Sequence, residues 1–222
     1  MTYSKLKLAV LTPLIFLACS VPQSQAADVD DAKAALIKVL SEYTLGDPIT
    51  KDITASIDAA AVALEQAAGD TPKLTEMTKI LTGQWESVFS SQAAHPGSKT
   101  TAHIVLQELN PEKDFYRDMT VMSAGENKTP LLHIATADLG LAKDLPNVLE
   151  VRFHRVEFVP ARADVSMKHL RTVLGLPEDA RLSVDISDDS NRPVSRLTVT
   201  FVDEDLRINR GNDYIAVFRK IQ

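Results

Sequence analysis

Thr200-Phe201-Val202-Asp203-Glu204-Asp205-Leu206-Arg207-Ile208-Asn209-Arg210-Gly211, followed by the apolar run 214–221, reads as the closing hairpin of an antiparallel sheet. Arg210-Gly211-Asn212-Asp213 stands between two strand-like runs, and Gly and Asn tolerate the positive φ angles that tight hairpins require. Far upstream, Leu81-Thr82-Gly83-Gln84-Trp85 reads as the opening strand of the same sheet. If first and last strands pair, the sheet closes into a barrel. Closure removes the free edges that make sheets aggregate, and about eight strands enclose room for one small ligand. The pattern points to binding more than to catalysis.

Between these two segments the period is two. Trp85, Ser87 and Phe89 alternate with Gln84, Glu86 and Val88, and Ala102, Ile104 and Leu106 alternate with His103, Val105 and Gln107. Further strands are expected over 115–123, 131–136, 148–159, 182–186, 195–202 and 214–221, giving eight. In 148–159, Leu149, Val151 and Phe153 share one face while Val156 and Phe158 fall on the other. That change of phase near His154 and Arg155 predicts a bulge or a sharp bend. The expected inward, ligand-facing positions are Trp85, Phe89, Ile104, Leu106, Phe153, Leu197, Val199 and Phe201. One helix is expected at 165–174, capped by Asp164 and stopped by Gly175.

Ahead of the strands the period is helical. Val29, Ala32, Leu36, Val39, Leu40 and Tyr43 recur at three- and four-residue steps, and Gly46-Asp47-Pro48 ends that helix. A second helix over 50–68 carries the stripe Ile53, Ile57, Ala60, Ala61, Leu64 and Ala68, with Gly69 as its stop. A short third runs over 72–81. The expected fold is therefore α+β: one domain over 27–222, with helices to 81 and an antiparallel barrel of about eight strands from 82.

Residues 1–26 have the form of a secretory signal peptide: Lys5 and Lys7, an apolar middle over 8–18, and Ser24-Gln25-Ala26 as a small-residue cleavage site. The expected location is periplasmic or secreted. Phe16-Leu17-Ala18-Cys19 approaches a lipoprotein pattern, in which Cys19 would anchor the chain. The chain has 222 residues and a net charge of −6. Losing 1–26 removes two lysines and no acid, leaving −8. An acidic surface argues against nucleic acid as a partner, while peripheral association with membranes stays open. Cys19 is the only cysteine, so cleavage at Ala26 excludes disulfides and thiolate chemistry from the mature chain.

No motif announces catalysis, and neither a metal nor a cofactor is expected. His95, His103, His133, His154 and His169 do not fall at metal-ligand spacing, though His133 or His154 inside a cavity would have the chemistry of a base. Asp203-Glu204-Asp205 and Asp188-Asp189-Ser190-Asn191 read as solvated turns. Asn127-Lys128-Thr129 fits a glycosylation sequon, which matters only in a host that glycosylates. In barrels of the lipocalin kind, a Gly-x-Trp such as Gly83-Gln84-Trp85 plugs one end and an arginine from the last strands lies over the indole. Arg207 and Arg210 are the candidates for that arginine.

The strand, acidic turn, Leu-Arg-Ile and Arg-Gly of 200–211, with Leu81-Thr82-Gly83-Gln84-Trp85, Phe89-Ser90-Ser91 and Ala63-Leu64-Glu65, resemble the plastid lipid-associated protein, or fibrillin, family. The match is looser over 111–193. The resemblance implies a lipocalin-like barrel that binds hydrophobic small molecules or lipids. A short secretory leader in place of a transit peptide suggests a bacterial periplasmic relative. The leading expectation is binding or carriage of a lipid, quinone or isoprenoid. Two others stand beside it: an envelope interaction module with a filled barrel, and an enzyme acting on a lipophilic substrate.

Overall fold

The structure, a computed structural model, describes residues 23–92, 100–186, 194–211 and 213–221. Two helices, α1 (Gln23–Leu40) and α2 (Lys51–Ala68), precede a 3-10 turn at Leu74–Glu76 and a single helical turn, α3 (Thr78–Leu81). Nine strands follow. They are β1 (Gly83–Ser90), β2 (Thr100–Asn110), β3 (Phe115–Ala124), β4 (Thr129–Leu141), β5 (Val148–Pro160), β6 (Ser183–Asp185), β7 (Ser195–Val202), β8 (Leu206–Gly211) and β9 (Tyr214–Ile221). A further helix, α4 (Met167–Leu174), lies between β5 and β6. No helix of the described residues is long and apolar enough to cross a membrane.

Eight strands close into an antiparallel barrel in which each pairs with its neighbours in sequence, except that β5 passes over β6 to pair with β7. The barrel shuts where β1 meets β9, with Trp85 opposite Lys220. Two expectations change. The segment 182–186 holds only the short β6, which pairs with the far half of β5 at Arg155–Glu157 and lies outside the ring. The eighth wall strand is instead β8, so the end of the chain forms a three-strand meander rather than one hairpin. Its first turn is the acidic triplet, where Asp203 Oδ1 accepts from the backbone N–H groups of Asp205 (2.9 Å) and Leu206 (2.7 Å).

Three register shifts decide which side chains face inward. They fall between Ser87 and Phe89 on β1, between Ala102 and Ile104 on β2, and between Val199 and Phe201 on β7. Each inserts one residue, and because side chains alternate with period two, the rest of the strand changes face. The bulge foreseen near His154 is also present, opposite Thr136 and Ala137 of β4. It brings Val156 and Phe158 to the same side as Leu149, Val151 and Phe153.

The consequence is a double-sided core. Inside the barrel, Trp85, Leu109, Tyr116, Leu139, Val151, Val199 and Phe218 pack with Leu74 and Leu81, which close one end from below. On the outer wall, Phe89, Phe201, Ile208 and Val217 meet Leu36, Leu40, Ile57, Ala61 and Leu64 of the two helices. Each fully buried Ile, Leu or Phe there contributes about 1.5–3 kcal/mol. The second helix is well terminated for this role. Thr50 Oγ1 accepts the Ile53 N–H (3.2 Å) at the start of α2, and Gly69, at φ 76°, donates to the Glu65 carbonyl at its end.

Polar clasps fix the helices on the wall. Arg210 points outward and donates to Glu65 (2.7 and 3.1 Å) and Asp58 (2.6 Å) of α2, while Thr200 also donates to Glu65. Lys33 of α1 reaches Asp203 (2.7 Å) and Asp205 (3.1 Å) in the acidic turn. At the loop between the helices, Gly46 has φ 101° and its missing Cβ would fall 2.8 Å from the Ala102 carbonyl, so only glycine fits.

Candidate functional site

The barrel has one plugged end. Gly83 adopts φ 133°, a conformation that any side chain would strain, and an added Cβ would crowd Lys220 Cε at 3.1 Å. That turn of the backbone delivers Trp85 to the interior, where its indole N–H donates to the Leu81 carbonyl (2.9 Å). The Arg207 guanidinium lies 5.0 Å from the Trp85 ring and 4.3 Å from the Phe218 ring, and Lys220 Nζ lies 5.3 Å from the indole. Arg207 is thus the arginine of the plug. Arg210 is not: it faces the other way and clasps α2.

Above the plug the interior is polar. Arg207 donates through Nη2 to Gln107 Oε1, and Gln107 Nε2 donates to Asp118 (3.2 Å). Asp118 also accepts from Thr120 (3.1 Å) and from the Tyr116 hydroxyl (3.4 Å). A buried cation and a half-buried carboxylate are therefore joined through one amide. Burial pushes the Arg207 pKa down to about 10, against the pull of Tyr116, Tyr214 and Asp118. Burial likewise raises Tyr116 well above its usual value and raises Tyr214. Beside Arg207 on β8, Asn209 is fully buried, and neither of its amide atoms has a partner among the described residues. Arg207 Nε and Nη1 are in the same state.

Above this layer lies a cavity of about 300 Å³ among β1, β2, β3 and β9. Gln107 and Asp118 lie at its deepest registers, Val105, Thr120 and Phe218 along its wall, and Thr100, Ala102 and Met122 nearer the rim. At about 30 Å³ per water-sized unit it takes roughly ten non-hydrogen atoms. The rest of the mouth is covered. Leu170 of α4 packs with Ala124, Leu131 and Leu182, and His169 Nε2 meets Thr129 Oγ1 at 3.1 Å. The cap of α4 is Ser166, which accepts the His169 N–H, whereas Asp164 pairs with Arg162. His133 lies tilted against Phe158 (centroids 5.0 Å), and burial lowers its pKa.

The expected inward positions divide. Trp85, Phe153, Leu197 and Val199 belong to the packed interior, none of them lining the cavity. Phe89 and Phe201 lie on the outer wall beneath the helices, because the bulges on β1 and β7 reverse their facing. Phe89 meets Tyr43 edge-on at 5.3 Å. Ile104 and Leu106 are also outward, since the β2 bulge directs Val105, Gln107 and Leu109 inward, and Ile104 is 41% exposed. Of the cavity residues, Ser87 shares the face of Trp85, Gln107 falls opposite the expected inward Ile104 and Leu106, and the polar side chains of Asp118 and Thr120 carry no apolar signal that would mark them as inward.

A wider groove of about 460 Å³ lies outside the barrel, between the start of α2 and the β8–β9 turn. Lys51 and Arg210 line it together with Asp58 and Asp213, so it offers no net charge. Among the described residues no three metal-ligating side chains come together. The four described histidines do not converge: His103 bonds Ser123 (2.9 Å), His154 faces Asp138 (3.6 Å), and His133 and His169 have the separate partners given above, while His95 lies outside the described residues.

An eight-stranded, closed, up-and-down barrel plugged by Gly83-x-Trp85 and a buried arginine, with a cavity above that plug, is a lipocalin-like protein. The PAP_fibrillin family model matches residues 30–218, and the chain belongs to the PAP/fibrillin family. No curated protein matches it. Among solved structures, a lipocalin-like protein from Bacteroides uniformis shares 13% identity, covering 64% of this chain and 99% of the other, with a TM-score of 0.31.

Proposed function

We propose that this protein binds a small hydrophobic or amphiphilic molecule in the upper half of its barrel, as a carrier and not an enzyme, in the bacterial periplasm. The observation that carries the reading is the 300 Å³ cavity inside the closed wall. Family membership and the lipocalin-like fold are consistent with hydrophobic ligands. The volume supports a guest of modest size, or the end of a longer lipid, quinone or isoprenoid whose tail leaves through the mouth. The alternative of a helical docking module is weakened, because the stripes of α1 and α2 are already spent on the barrel wall.

Mild purification from the native host, organic extraction and mass spectrometry test the binding reading. A reproducible co-purifying small molecule in near-equimolar amount is expected, together with uptake of a lipophilic fluorescent probe. Absence of both would sink it. Fractionation of the host tests the address. Recovery in the osmotic-shock fluid, beginning at Ala27, is expected, whereas a lipid-modified Cys19 in the membrane fraction would replace periplasmic release with anchoring.

A further inference from the structure

Gln107 and Asp118 stand opposite each other on β2 and β3, and both line the barrel cavity at its floor. Asp118 is half-buried, and among the described residues it is the one charged side chain of the lining. An ionised carboxylate is an acceptor only, with about four positions to fill. Three donors reach this one: Gln107 Nε2 (3.2 Å) and the Tyr116 hydroxyl (3.4 Å) on Oδ2, and the Thr120 hydroxyl (3.1 Å) on Oδ1. Oδ1 is the less occupied oxygen. Thr120, which bonds it, is itself part of the cavity lining.

The hydroxyl hydrogens at this depth are already committed. Thr120 directs its hydrogen to Asp118, and Ser87, also in the lining, gives its own to the Phe89 carbonyl (3.2 Å). Gln107 is oriented from both ends: its Oε1 accepts from Arg207, and one of its two amide hydrogens goes to Asp118. What the floor offers a guest is therefore an acceptor on Asp118 and, beside it, the second amide hydrogen of Gln107. A hydroxyl matches both, because it has one hydrogen to give and lone pairs to receive. A ketone only accepts and an ammonium only donates, so each leaves one side of the pair unmet, while a carboxylate sets a second negative charge against Asp118. Toward the mouth the lining turns apolar through Val105, Ala102 and Met122, with Phe218 along the wall.

We propose that the cavity selects an alcohol: a lipophile that enters hydroxyl first, donates to the Asp118 carboxylate and accepts from the Gln107 amide, as a long-chain or isoprenoid alcohol would. This rests on the reading of the cavity as a binding site and names the head group that the site prefers. The apolar portion of the guest lies against Val105, Met122 and Phe218, and its remainder points to solvent.

The test is equilibrium dialysis of the whole protein at neutral pH against four probes of equal chain length, 1-octanol, 2-octanone, octylamine and octane, each quantified by gas chromatography. Wild type is expected to bind 1-octanol at least tenfold more tightly than any of the others. Asp118→Asn keeps the size of the side chain and replaces one acceptor oxygen by a donor. It is expected to bring 1-octanol to within about twofold of 2-octanone, and Asp118→Ala, which removes the acceptor outright, serves if the amide prevents folding. Equal binding of alcohol, ketone and hydrocarbon by wild type would overturn the selection, as would octylamine or 2-octanone binding best; these wild-type ratios decide the matter even if neither variant folds. An undiminished preference for the alcohol in a folded variant would overturn the role of Asp118. Binding of octane with no preference among heads leaves the cavity as a site and removes only the head-group selection, whereas failure of all four probes would remove the proposed function with it.

Discussion

Phe89→Ala separates the two faces of β1. Phe89 is fully buried, and its ring meets Tyr43 edge-on on the outer wall, under α1 and α2. An aromatic side chain of this kind buries about 150–250 Å², which at about 25 cal/mol per Å² is worth roughly 4–6 kcal/mol. Alanine retains part of that area, and the edge-to-face pair adds about 0.5–1.5 kcal/mol. Truncation is therefore expected to cost about 3–5 kcal/mol, as is usual for Phe→Ala in a core. For a chain of this size that lowers the melting temperature by roughly 6–20 °C. Because the ring is outside the barrel, uptake of a lipophilic probe by the folded variant, measured well below its transition, should stay within about twofold of wild type. The paired measurement is Val105→Trp, which fills the cavity and is expected to abolish probe uptake. A Phe89→Ala protein with near-normal melting and strongly impaired uptake would refute the register assigned to β1.

Glu65→Ala strips the acceptor from Arg210 and Thr200 and loosens α2 from the wall. About 1–2 kcal/mol is expected in urea unfolding, discounted for the partial exposure of Arg210, with proteolysis between the helices accelerated. Gly83→Ala forces a side chain into φ 133° and is expected to cost about 1–3 kcal/mol, read from the same unfolding curves and from a shift in Trp85 emission. His133 has a lowered pKa in the fold, so the unfolded chain takes up its proton first as pH falls. Stability should decline as pH drops below about 6.5, the ordinary value for histidine, and His133→Asn should flatten that part of the profile. Tyr43, Tyr116 and Tyr214 have raised pKa values. Their contribution holds below about pH 10 and is lost as pH climbs through the folded values. Phenolate absorbance should therefore lag behind that of free tyrosine until the protein unfolds.

The plug was legible in the sequence because its residue types are tied to its chemistry: a glycine that turns the backbone, an indole with one N–H to place, and an arginine to lie over it. The bulge at His154 was legible too, since five large apolar residues changed phase within one long strand. Phe89, Phe201, Ile104 and Leu106 were misplaced because one inserted residue on β1, β7 and β2 reverses the facing within the strand. On β1 and β7 the reversal is hidden further, because helices cover the outer wall there and both faces are apolar. The same cause concealed β8, where Leu206 and Ile208 face the helices while Arg207 and Asn209 face the interior. A strand with its polar side inward looks like a turn continuing from the acidic triplet. The cavity lay hidden behind that assumption, because its side chains resemble those of an exposed surface.

The bulges on β1, β2 and β7 also set how this gene tolerates change in length. Each strand has a stretch whose side chains alternate into the barrel in one phase and a stretch in the other, and one surplus residue keeps the two in step. Loss of a single codon at Val88, His103 or Thr200 would exchange those allegiances for everything downstream in the strand, carrying phenylalanine into the ring and hydroxyls under the helices. Point substitutions at the same positions leave the count intact. Across descendants of this sequence, the spacing from Trp85 to Phe89 and from Val199 to Phe201 should be held more strictly than the identity of the residue between.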